Sequence, residues 1–429
     1  MKPAFKAALA SAGVMLAATA VQAEVTIEVE HFSPSHNVFH EAVAEAFMKK
    51  HPDIKIKFRN ALPSYDEQHQ SMLRESMTNN LPDVYHSGFH LLPEVVLQLE
   101  KRGQVIALDD YMAKEGQDWI ATNYEPSILN LGKVDGKVDG KQYGIGFNAS
   151  TPIVFYNADL VKQAGGDPEN FPTNWADLVQ LGAKIKALGG DVDGFAYDVH
   201  AWPDDWLWRA LILQQGEKIM SDDNKTVAFG GATGLQALKL ARSFVTDGGM
   251  VLRDFDQSRQ QFAAGKLGII FASPNSARGF TDLIGTRFKL MSSTYPVANL
   301  DKGTVPTGGN AMMILTTDKA RQDAAWEYIK FATSAEGQTV TVLGSGYMPT
   351  NKAALAPEFL GKFYEENPNW YTSIKQISRA APWGGYPGTN GVKIWRGQRD
   401  LIGQVMSGDL TPEDGLAKIT EETNALLPK

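Results

Sequence analysis

Val25-Thr26-Ile27-Glu28-Val29, then Ile54-Lys55-Ile56-Lys57-Phe58, then Val84-Tyr85: three strand-like stretches are separated by two segments of helical spacing. Apolar and polar residues alternate in the first two, as in a strand with one buried face. Between them, Phe39, Val43, Ala46 and Phe47 recur at helical intervals within 38–48, and His51-Pro52-Asp53 ends that helix, because proline cannot continue it. A second helix is predicted over 66–78, closed by Asn79-Asn80-Leu81-Pro82, and a third from Leu92 to Lys101. Strand, helix, strand, helix, strand predicts an α/β fold with a mainly parallel sheet covered by helices. Ligands of such sheets sit at the carboxyl ends of the strands, so the loops at 33–36, 63–65 and 86–89 are predicted to face one.

Further along, two glycine-rich stretches lead into apolar strands. Gly144-Ile145-Gly146-Phe147-Asn148-Ala149-Ser150-Thr151-Pro152 precedes Ile153–Tyr156, and Thr307-Gly308-Gly309-Asn310 precedes Ala311–Leu315. Both read as crossovers between two parts of the chain. The tandem Lys133-Val134-Asp135-Gly136 and Lys137-Val138-Asp139-Gly140 carries Asp-Gly turn signals and predicts a surface hairpin.

The chain has 429 residues, 43% hydrophobic and 21% charged, a globular composition that excludes disorder and a polytopic membrane protein. A net charge of −8 without a basic block makes it a poor partner for nucleic acid. With no cysteine, it has no disulfide, thiolate metal site, cysteine nucleophile or lipid anchor on cysteine. Lys2 and Lys6, the apolar run Ala7–Ala20 and Val21-Gln22-Ala23 have the order of a secretory signal peptide cleaved after Ala23, which points to the periplasm. The run is too short to span a bilayer, which takes about 20 residues.

Seven of the eight histidines lie between His31 and His90, with His36/His40 and His86/His90 four residues apart. No H-E-x-x-H pattern completes a metal site, and no metal or cofactor is expected. Asp204-Asp205, between Trp202 and Trp206, is the one acidic cluster set among aromatics, but adjacent carboxylates diverge too sharply to serve as the pair of a glycoside hydrolase. No nucleophile–base constellation accompanies it, so an enzyme is not expected. Trp202, Trp206 and Trp208, with Trp383 and Trp395 in a Gly/Pro-rich segment, offer flat apolar faces suited to stacking on sugars; Trp202 and Trp383 are the candidates for a cleft.

Several ordered motifs carry a family resemblance: Phe47-x-x-x-His51-Pro52-Asp53-Ile54-Lys55-Ile56, Leu81-Pro82-Asp83-Val84-Tyr85, the run Tyr143–Asn157, Asn174-Trp175-Ala176-Asp177-Leu178, Phe262-Ala263-Ala264-Gly265-Lys266, Trp326–Ser334 and Gly346-Tyr347-Met348-Pro349. Over essentially the whole chain after Ala23, the sequence resembles the family-1 solute-binding components of ABC importers, the group that includes maltose-binding and glycerol-3-phosphate-binding proteins. Phe363–Pro368, shortly after Gly346–Pro349, is most similar to the glycerol-3-phosphate-binding subgroup. The resemblance implies a two-lobe, maltose-binding-protein-like fold with a hinge. One lobe comprises 24–147 and 308–365, and the other 148–307 and 366–429. It also implies a monomer without a membrane anchor that closes on a small polar solute and delivers it to the transmembrane subunits of a permease. Carried over residue by residue, ligand contacts fall on Tyr65, Ser150, Ser276 (or Ser273), Gly309 (or Gly308) and Tyr347. His86 stands where the subgroup has a glutamate, and Lys393 where it has an arginine. The implied ligand is a polyol of the glycerol-3-phosphate type. A neutral sugar or oligosaccharide is the alternative, and a secreted glycoside-active enzyme is the reading outside binding.

Overall fold

The computed structural model describes residues 24–134 and 140–429. The proposed signal peptide and most of the tandem at 133–140 lie outside these residues. The described residues form ten strands: β1 (Val25–Glu30), β2 (Ile54–Phe58), β3 (Val84–Gly88), β4 (Ile145–Ser150), β5 (Ile153–Asn157), β6 (Asp193–Ala196), β7 (Leu267–Ala272), β8 (Leu290–Thr294), β9 (Val305–Ile314) and β10 (Ala380–Pro382).

β1, β2 and β3 form the expected parallel core, with Val25–Val29 opposite Ile54–Phe58 and Val29 opposite Val84. The sheet is mixed rather than mainly parallel, because the long β9 inserts antiparallel to β3 on one side and β4 on the other. β10 adds in parallel to the first residues of β9. A second sheet has the order β6-β7-β5-β8. Each sheet anchors one lobe. Val29, Phe47, Met312 and Tyr328 fill the first core, and Phe195, Trp208, Phe244 and Phe271 the second.

The lobes are joined where the chain changes sheet. β4 ends at Ser150 and β5 begins at Ile153, so Thr151 and Pro152 are the first connection. The return runs between Thr294 and Val305. The sheet change thus falls three residues to either side of the expected crossover boundaries, because β4 and β9 remain paired through Ala149–Gly309 and Ser150–Gly308. A third passage lies between helix Ala335–Ser345, which packs on helix Asn37–Lys50, and helix Pro368–Lys375, which packs on β8. Gln376 ties the junction together. Its Nε2 donates to Thr151 Oγ1 and Pro152 O, both at 2.7 Å, and its Oε1 accepts from Tyr295 N at 2.8 Å. Among the described residues, no helix is long and apolar enough to cross a membrane.

Candidate functional site

Between the lobes lies a cavity of about 140 Å³. An engineered cavity of ~150 Å³ holds one benzene molecule, so this space suits one compact solute unit.

The first lobe's wall starts at helix Tyr65–Met77. Ser64 caps it, accepting from Glu67 N at 3.2 Å, and this places Tyr65 and Asp66 on the first turn, facing the cavity. Tyr65 stacks on Phe32 at 3.6 Å between centroids. Its hydroxyl accepts from Asn310 Nδ2 at 3.1 Å, and Asn310 Oδ1 accepts from His86 Nδ1 at 3.0 Å. Ser150 at the end of β4, Gly308 and Gly309 in β9, and Tyr347 complete this side. Gly309 is required by geometry: φ is +124°, and a Cβ would stand 2.2 Å from Asn148 O.

The second lobe contributes Trp202, Asp204 and Trp206, then Phe255 and Arg259 from helix Phe255–Ala263. Trp202 meets Phe255 edge-on at 4.5 Å. Trp206 is fixed by its indole N–H, which donates to Pro306 O at 3.0 Å. Arg259 lies over the rings of Phe255 and Phe280 and donates to Ser276 Oγ at 3.3 Å. Trp383, following β10, stacks on His90 at 3.8 Å and donates from Nε1 to Asp205 Oδ1 at 2.7 Å.

The two adjacent aspartates diverge, as their adjacency predicts. Asp205 turns inward onto Arg209 at 2.5 Å, and Asp204 turns to the cavity. Burial, and then the neighbouring Asp205, push the Asp204 carboxyl well above the usual range. Burial pushes Asp66 up to about 6. Arg259 has no carboxylate within 4 Å among the described residues.

Of the residues singled out from sequence, Tyr65, Ser150, Trp202, Gly309 and Tyr347 share this cavity. Ser276 stands one layer behind, holding Arg259, while Ser273 of the same segment lines the wall. His86 does not reach the cavity. It is fully buried beneath the floor and acts on it through Asn310 and Tyr65. Lys393 is also misplaced as a contact. It is exposed on helix Gly391–Ser407, where Ile394 and Trp395 take the inward face, and it borders a separate groove with Arg396 and Glu422. The cleft's cation is Arg259, which sequence reasoning missed. Its signal was its spacing, since Phe255, Arg259 and Phe262 fall on one face of that helix. The histidine pairs form no metal centre. His40 stacks on His31 at 3.8 Å and meets His86 edge-on at 4.7 Å, and no described group of residues could hold a metal ion.

The model of the family described as bacterial extracellular solute-binding protein matches residues 33–339. The chain belongs to that family. It is 23% identical over 411 residues to the sn-glycerol-3-phosphate-binding periplasmic protein of Escherichia coli K12, covering 90% of this chain and 89% of the relative. Its fold is similar to that of UgpB from Mycobacterium tuberculosis in complex with glycerophosphocholine. The TM-score is 0.79 at 20% identity, over 93% of this chain and 98% of that one. It is also similar to the cyclic alpha-maltosyl-1,6-maltose binding protein of Arthrobacter globiformis, with a TM-score of 0.76 at 18% identity over 94% and 98%. The architecture is the two-lobe, maltose-binding-protein-like α/β fold. The family is one of solute binders that serve ABC importers, of extracellular or periplasmic type.

Proposed function

We propose that this chain is a periplasmic, monomeric solute-capturing subunit of an ABC importer, exported by a signal peptide cleaved after Ala23, and that its ligand is a small polyol-type solute bearing an anionic group. The observation that carries the reading is Arg259: a guanidinium on the cavity wall, held over two phenyl rings and a serine, with no carboxylate within 4 Å among the described residues and Asp256 of the same helix acting on it from farther away. A buried charge without a counter-ion in direct contact is costly, and an anion from the solute offsets that cost. Ser150, Ser273 and Tyr65 supply hydroxyl groups for the rest of the solute, and Trp202 and Trp206 supply apolar faces. The ends of β4 and the start of β9 act as hinge strands, and the closed form hands the solute to the permease without chemical change. The tryptophans support a second reading, a neutral sugar stacked on their faces.

Calorimetric titration of the ligand-free chain with glycerol 3-phosphate and with glucose and maltose separates the two. Loss of the Arg259 contact in Arg259→Gln removes a charge-assisted hydrogen bond of about 1.5–3 kcal/mol, a ten- to hundredfold or greater loss for the anion. Tight sugar binding that the variant leaves unchanged moves the assignment to the neutral-sugar reading.

A further inference from the structure

One small cavity holds a guanidinium and two carboxyl groups on its walls and does not let them pair. Arg259 has no carboxylate within 4 Å, and Asp66 and Asp204 have no cation within that distance, among the described residues; Asp256 acts on Arg259, and Arg396, His69 and Arg399 act on Asp66, only from farther away. The contrast with Asp205 is immediate, because there the fold provides Arg209 and the Trp383 indole N–H. Asp66 is only 8% exposed, lines the cavity, and its carboxylate has no hydrogen-bond partner among the described residues. Asp204 accepts from Trp206 N at 3.1 Å and from the Trp202 side chain, both neutral donors. Asp66 comes from the first lobe and Asp204 from the second, and both also border the adjoining recess with His90, Tyr386 and Trp395. Closing two carboxyl groups toward each other in a dry cleft is unfavourable by like-charge repulsion. A proton held on the raised Asp204 carboxyl relieves that repulsion where no cation is near, and solute hydroxyls bind the pair without changing its charge. A cation removes the repulsion, and the neighbouring faces of Trp202, Trp206 and Trp383 attract cations in turn.

We infer that the cleft is the negative image of a small zwitterion, with its anionic group at Arg259 and an ammonium group between Asp66, Asp204 and the tryptophan faces. This rests on the solute-capture reading above and adds the ligand's second charge.

The test titrates the ligand-free full chain with glycerophosphocholine and glycine betaine (ammonium paired with phosphodiester or carboxylate), glycerol 3-phosphate, choline and glucose. At least one zwitterion should bind tenfold or more tighter than both glycerol 3-phosphate and choline, and the tighter of the two identifies the anionic group. Asp66→Asn should cost the zwitterion at least tenfold while changing glycerol 3-phosphate less than threefold, whereas Arg259→Gln should weaken both. Circular dichroism checks the fold, and Asp204→Asn replaces Asp66→Asn if the latter does not fold. Glycerol 3-phosphate binding as tightly as either zwitterion, with Asp66→Asn affecting them equally, overturns the inference and leaves the anion reading standing. Absence of binding by both zwitterions also overturns it. Glucose binding that neither variant weakens overturns both readings together.

Discussion

The first lobe meets the cleft with Tyr65 and Tyr347 on a foundation of imidazoles, whereas the second meets it with Trp202, Trp206 and Arg259 on a foundation of carbon. Behind Tyr347 lies the His36 ring, and behind Tyr65 lie Asn310 and His86, with His40 and His31 stacked below. Trp202 and Arg259 pack on Phe255, itself on the wall, and behind Arg259 lies Phe280. Both foundations place aromatic rings at the solute, and both are fully packed. They differ in what a proton does to them. A phenyl ring is indifferent to pH, but a buried imidazole must stay neutral, because its charged form has lost its water. Two lobes of similar architecture therefore differ in sensitivity to acid.

The largest expected effect follows from that difference. Burial pushes the His36 and His86 imidazoles down to about 3, and those of His40 and His90 well below their ordinary range. A depressed imidazole contributes stability above its unfolded value of about 6.5, and this is lost as pH falls toward the folded value. Between about pH 6.5 and pH 4, His36 and His86 would each withdraw about 3 kcal/mol from the first lobe. Carboxyl groups raised by burial work the other way, gaining as pH falls. Glu30 at about 7 and Asp66 at about 6 relieve part of the first lobe's loss. In the second lobe, Asp198 at about 7 and the raised Asp204 stand against a single depressed histidine, His200. Hydrogen exchange, corrected for its intrinsic pH dependence, should show helix Asn37–Lys50 losing protection from pH 7 to pH 4.5 while β5 and β7 keep theirs. Equal loss in both lobes would break the comparison.

A smaller effect, again confined to the first lobe's seam, is expected at Gly309. Its φ of +124° and the 2.2 Å approach of Asn148 O leave no room for a Cβ, and the clash is with backbone rather than a side chain that could swing away. Gly309→Ala should cost about 3 kcal/mol or more by denaturant unfolding. It should also weaken solute binding, because the same residue lines the cavity. A variant of unchanged stability would mean that β4 and β9 are looser than their register indicates.

Much of this architecture is legible in the sequence, for identifiable reasons. Strict alternation in Val25–Val29 and Ile54–Phe58 marks strands with two different faces, and helical spacing between them marks the covering layer. Both hinge strands announce themselves through glycines before an apolar run. β9 is harder to read, since its first residues, Val305-Pro306-Thr307-Gly308-Gly309, look like a loop and become strand only by pairing with β4 and β10. In the cleft, the residues that could be found belong to motifs, while those that could not are set by tertiary placement. Arg259 sits in the polar run Asp256-Gln257-Ser258-Arg259-Gln260-Gln261, which reads as a solvated helix unless its register with Phe255 and Phe262 is followed. Asp66 looks like an ordinary first-turn acid that favours the helix dipole, and only the opposing lobe makes it a cavity wall.

The smallest effect expected is at Lys393, and it sharpens the contrast between position in sequence and position in space. Lys393 is the position on which the family resemblance placed a ligand contact, yet helix Gly391–Ser407 presents Val392 and Trp395 toward the recess beside the cleft. One residue is about 100° of helix rotation, enough to carry Lys393 around to the exposed groove shared with Arg396 and Glu422. At such a site, removing a solvated ammonium changes stability by less than about 0.5 kcal/mol. Its influence on a solute in the cleft is reduced further by screening. Lys393→Ala should therefore leave solute affinity within about twofold, which is below the 1.4 kcal/mol of a tenfold change, while Arg259→Gln, on a helix with no motif to recommend it, loses tenfold or more. Titration of both variants with the same anionic solute reads the difference directly. If Lys393→Ala cost as much as Arg259→Gln, the charge that holds the solute would have to come from the outer face of the last helices, and the division into a tyrosine–imidazole wall and a tryptophan–arginine wall would not describe how this cleft binds.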